Sequence, residues 1–173
     1  QSTGASLAGP RLVMNEWLQQ QADRAWAEGR QAAFAGYQLF LADQLEETGR
    51  PDSADARRIG VFRKVEPEVL GAASAFVVAK TADRYAFPEA PHRLEVFLGQ
   101  FPESPDVPEA LYRLARWTRR EGGPAEARNL LAGLFRDWPD AEIHAGAGLL
   151  LAAWQLEDRL AEAAHATASA VLE

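Results

Sequence analysis

The segments RLEVFLGQFPESPD (93–106) and RNLLAGLFRDWPDA (128–141) echo one another. Leu94, Phe97 and Pro102 of the first return as Leu131, Leu134 and Pro139 in the second, and Ala90 returns as Ala127, each step being 37 residues. Small and large apolar residues recurring in fixed order, at a period of about 20 to 50 and with a proline closing each unit, mark a helical solenoid. That pattern points to a binding scaffold rather than a pocket enzyme.

Outward from the echo, the apolar spacing is helical almost everywhere, so the fold class expected is all-α, with about nine helices. Asp106-Val107-Pro108-Glu109 reads as a capping box opening a helix that holds Leu111, Leu114, Ala115 and Trp117. Gly122-Gly123-Pro124 stops that helix and starts the next, which carries Ala127, Leu130, Leu131, Leu134 and Phe135. A last pair turns through Glu157-Asp158-Arg159 without a glycine. Upstream, a helix through Val69, Leu70, Ala73, Phe76, Val77 and Lys80 is expected to form a hairpin with one holding Leu94, Phe97 and Leu98. Before the Glu66-Pro67 break come three further helices. The first opens at Pro10, carries the stripe Leu12, Trp17, Leu18, Ala22, Ala25 and Trp26, and ends at Gly29. The second carries Phe34, Tyr37, Phe40, Leu41 and Leu45 and stops at Gly49, and the third is capped by Asp52 or Ser53. Residues 1–9 are expected to be a flexible segment and 10–173 a single helical-repeat domain, regular over about 69–172 and degenerate over 10–66.

The phrase FPESPDVPEALYRLA (101–115) resembles the tetratricopeptide repeats of bacterial envelope proteins, in particular outer-membrane-assembly lipoproteins and periplasmic cell-division coordinators. Ala90, Ala127 and Ala164 match the family's small residue where paired helices come closest, and Val77, Leu114 and Leu151 match its large apolar residue. The family's small first-helix position falls on Val78, Ala115 and Ala152, so the repeat near Gly71 departs from the pattern. The period of 37 also exceeds the usual ~34 and implies longer turns. The resemblance implies a right-handed superhelical stack of antiparallel hairpins, a non-enzymatic scaffold for protein–protein interaction, and placement in the periplasm or cell envelope, within a larger outer-membrane complex. The small polar opening QSTGASLAGP agrees with a mature start after signal-peptidase cleavage and equally with a sequence trimmed at that point. A cytoplasmic adaptor of the same shape and an all-α ligand-binding protein are the alternatives.

In that family, binding falls to the concave face. The matching positions are Tyr112, Arg116, Arg119 and Arg120, spaced i, i+4, i+7 and i+8 on one helical face, with Ala75, Ala79, Ala82 and Asp83 at the corresponding places of the preceding helix. Guanidinium groups hold carboxylates bidentately, so the expected partner is a protein or peptide bearing acidic groups. The competing interpretation is a solvated charged face. Trp138, just before Pro139, is a further candidate anchor for a partner.

Other chemistries find little support. A net charge of −7 with mixed signs disfavours nucleic acid as partner. The absence of cysteine removes thiolate metal sites and cysteine nucleophiles. His92, His144 and His165 stand alone, outside any metal-binding spacing, so neither metal nor cofactor nor catalytic residue is expected. Gly146 and Gly148 read as close-packing positions. The longest uncharged apolar stretch, Ala145 to Leu156, is too short to cross a bilayer.

Overall fold

Helix boundaries follow the glycine and proline punctuation. A computed structural model describes residues 8–172, with side chains from Leu12 onward, and among them holds nine α-helices and no strand. These are α1 (Ala8–Ala27), α2 (Gln31–Glu47), α3 (Pro51–Lys64), α4 (Ala72–Arg84), α5 (Ala90–Gln100), α6 (Val107–Arg120), α7 (Pro124–Asp137), α8 (His144–Glu157) and α9 (Ala161–Val171). Gly29, Gly49 and Gly122 follow α1, α2 and α6 with φ of 69°, 73° and 91°, the left-handed conformation that a β-carbon resists. Pro51 and Pro124 open α3 and α7 where no amide hydrogen is needed. The flexible segment expected over 1–9 lies outside the described residues up to residue 7, and Ala8 and Gly9 already belong to α1.

Some local expectations change. Asp52 and Ser53 sit inside the first turn of α3, because the helix begins one residue earlier, with Arg50 in the cap position. Asp106 caps α6 by position only, with no side-chain hydrogen bond, and Glu109 turns instead to Arg113 at 2.6 Å. Val69 ends a short 3-10 turn, Pro67–Val69, and Leu70 is extended, so α4 starts at Ala72. Along α1 the expected stripe splits. Leu18, Ala22 and Ala25 are buried, whereas Leu12, Trp17 and Trp26 are exposed.

The chain divides into two compact units, Gln1–Tyr85 and Ala86–Glu173. Within the first, α1 to α4 pack in sequence and α2 also touches α4. Within the second, α5 to α9 pack in sequence. The hairpin expected of α4 and α5 therefore has one helix in each unit. Ala86, at the division, holds φ at 51°, a conformation that ends a helix at some cost for any residue with a β-carbon.

Burial repeats with the sequence echo. Ala90, Ala127 and Ala164 are buried, as are the pairs Leu94/Leu131 and Phe97/Leu134. Helices α8 and α9 begin 37 residues after α6 and α7. The same pattern extends upstream of the sequence echo at a step of 36: Ala54 precedes Ala90, Val61 precedes Phe97, and Ala42 precedes Val78, all buried. Val78, not Val77, is the fully buried valine of α4, in line with Ala115 and Ala152. In the second unit Leu131, Leu134, Ala147, Leu151 and Trp154 form one apolar cluster. Full burial of a leucine such as Leu131 contributes roughly 2 kcal/mol.

Turns repeat as well. Arg159 stands 37 residues after Gly122 and takes the same left-handed conformation, φ 63°, so the glycine-free corner is built with an arginine. Gly148 is a true close-packing position, since a β-carbon there would lie 2.6 Å from Phe135 Cε2 and collide with Val171. Gly146 faces open space, so that packing role falls to Gly148 alone.

Candidate functional site

On α6, Arg116 and Arg120 remain exposed while Leu114, Ala115 and Trp117 turn inward, so helical spacing alone places the charges along one edge. Tyr112, Arg116, Arg119 and Arg120 line a groove of about 700 Å³ together with Leu150 and Trp154 of α8. Leu150 and Trp154 were not singled out by the sequence. Their signal was present in the repeat, because α8 follows α6 at the same offset.

The arginines differ in what they hold. Arg119 donates from both terminal nitrogens to Asp158, at 3.0 and 3.1 Å, and from Nη2 to Glu157 at 2.8 Å, and its guanidinium lies 5.0 Å from the Trp154 ring centre. Arg128 of α7 donates to the same Asp158 carboxylate. Arg119 thus ties α6 to the corner after α8. Arg116 lies 5.9 Å from the Tyr112 ring centre and has no carboxylate partner among the described residues. Arg120 stacks 4.0 Å from the centre of the Trp117 ring. A ring beneath a guanidinium helps to fix its plane, and Arg120 makes a further contact of its own.

The other expected site residues fall elsewhere. Ala75, Ala79 and Ala82 are buried inside the first unit, so they offer no shallow wall to a ligand. Asp83 is half-buried on α4 in that unit and makes contacts of its own. Trp138 caps the end of α7, its backbone N–H donating to the Leu134 carbonyl at 3.0 Å, and its side chain is half-buried.

The first unit holds, beside its apolar core, an ion-pair network that no pattern in the sequence announced. Arg58 is buried and donates to Asp43 at 2.8 Å, to Glu46, and to Asp55 at 3.2 Å. Burial opposes its charge, but the three accepting carboxylates hold its pKa above the ordinary arginine value. Burial likewise opposes the charge of Asp55. Hydrogen bonds from Tyr85, Arg58 and Arg84 outweigh it and hold the carboxyl below its usual range. The Tyr85 hydroxyl donates to Asp55 at 2.8 Å.

Among the described residues, no group of three or more His, Asp or Glu side chains is arranged to hold a metal ion, and no helix is long and apolar enough to cross a membrane. His144 stacks on Phe135 with ring centres 4.3 Å apart, an interhelix packing position. No protein-family model matches the chain, and no curated protein is found to be related to it.

Proposed function

We propose that this chain is a non-enzymatic scaffold of the tetratricopeptide-like kind, its hairpins stacked as a right-handed superhelix, and that it receives a protein partner through an acidic segment. The observation that carries the reading is the α6–α8 groove, where Arg116 and Arg120 stand on aromatic rings beside the apolar walls of Leu150 and Trp154. An acidic segment interleaved with apolar residues suits such a surface, a carboxylate to the Arg116 guanidinium and apolar side chains to the walls. The burial pattern repeating every 36 or 37 residues supports a repeat scaffold. Placement in a bacterial cell-envelope complex rests on the resemblance of residues 101–115.

The groove is tested by fluorescence anisotropy with a labelled peptide of alternating Glu and Leu. The full chain should bind it, and Arg116→Ala with Arg120→Ala should weaken binding ~10-fold or more without loss of helicity. Arg119 is left in place because its role is internal. Unchanged affinity in the double variant would discard the groove.

A further inference from the structure

The first unit has a separate cavity of about 540 Å³ bordered by α1, α2 and α3. Arg50, Arg57 and Lys64 line it against the single acid Asp23, a local excess of positive charge in a chain whose net charge is −7. Phe34 and Leu45 give it apolar walls. Its volume falls within the range of small-molecule sites.

Arg57 is the informative residue. It is adjacent in sequence to Arg58, which holds three carboxylates, yet among the described residues Arg57 holds none. Its Nη1 donates to two neutral amide oxygens, Gln19 Oε1 at 2.8 Å and Gln38 Oε1 at 2.6 Å. Asp23 is already engaged by Gln19 Nε2 at 2.8 Å. Gln38 is itself buried, and its amide nitrogen reaches Gln19 only at 3.5 Å, so a good donor is poorly used. Burial first, and then the charge of Arg50, push the Arg57 pKa below the ordinary arginine value, with Asp23 pulling the other way. A half-buried guanidinium beside a second cation, held only by amides, is a costly arrangement that an oxyanion would relieve. Its Nε–Nη2 edge, which no described residue accepts from, matches the two oxygens of a carboxylate.

We propose that this cavity binds a small organic acid, an apolar body bearing one oxyanion head, with the head on Arg57 and the Gln38 amide and the body against Phe34, one helical turn from Gln38. The ligand differs from the acidic protein segment assigned to the α6–α8 groove, and it uses none of that groove's residues.

Calorimetric titration of the full chain with octanoate, octyl phosphate and uncharged octanamide tests it. At least one anion should bind saturably at one site, with octanamide ~10-fold weaker or worse. Tighter octanoate assigns a carboxylate head, and tighter octyl phosphate a phosphate monoester. Arg57→Gln should weaken the anion ~10-fold while its thermal midpoint holds or rises, because a desolvated cation beside Arg50 is gone. It should leave binding of the Glu/Leu peptide unchanged, which separates this site from the α6–α8 groove. If Arg57→Gln fails to fold, exposed Arg50→Gln takes its place and should weaken the anion ~3-fold. Equal binding of octanamide, no saturable binding of either anion, or anion affinity unchanged in the folded variant would overturn the proposal.

Discussion

Where the second unit places Leu94 and Leu131, the first unit places Arg58 on α3, 36 residues before Leu94. The two units therefore use the same helical frame with different fillings. One closes around an apolar cluster, and the other sets beside its apolar core a buried guanidinium shared by Asp43, Glu46 and Asp55. The contrast separates what builds the frame from what occupies it. The small residues Ala54, Ala90, Ala127 and Ala164 let helices approach in both units, and the residue four positions on can be apolar or charged provided its groups are satisfied.

The strongest blow to the comparison is Leu131→Ala. It empties a fully buried site, and chemical denaturation should report a loss of about 3 to 4 kcal/mol. A loss under about 1 kcal/mol would mean that the second unit does not depend on tight apolar packing. Next comes Arg58→Ala, which takes one of three donors from buried Asp55, leaving Tyr85 and Arg84, and should cost about 2 to 3 kcal/mol, less than a fully buried pair because Asp43 and Glu46 are exposed. Arg58→Leu sharpens the comparison by importing the second unit's residue. It should recover a large part of that loss, and a variant as unstable as Arg58→Ala would show that the positions are not interchangeable. The smallest effect is expected at the α8–α9 corner. Arg159→Gly removes a left-handed β-carbon and should raise the thermal midpoint, by about 0.5 to 1 kcal/mol in stability, after glycine's added chain entropy is set against it. A fall instead would show that the arginine side chain contributes more than its backbone costs.

What was legible in the sequence was local. Gly29, Gly49 and Gly122 fix helix ends because their conformation is decided within a few residues, and Pro51 and Pro124 fix starts for the same reason. The shared face of Tyr112, Arg116, Arg119 and Arg120 follows from helical spacing alone. The upstream repeat was harder to see. Its step is 36 instead of 37, and Arg58 breaks the apolar order that makes the later repeats recognisable. The occupation of Arg119 was hidden for another reason: Glu157 and Asp158 lie 38 and 39 residues away, and only tertiary packing brings them to it. Ala75, Ala79 and Ala82 show the same limit, since a small residue suits an open wall or a buried crossing and only the neighbouring helix decides.

The quartet of Arg119, Arg128, Glu157 and Asp158 has an electrical consequence for the groove beside it. Two positive and two negative groups sum to zero, so from a few ångströms away this corner is neutral ground. The attraction an approaching acid feels at the groove does not scale with the number of arginines in the sequence. It is set by groups such as Arg116 on the exposed edge of α6, with Arg119 acting as a fastening in the wall rather than as a source of field.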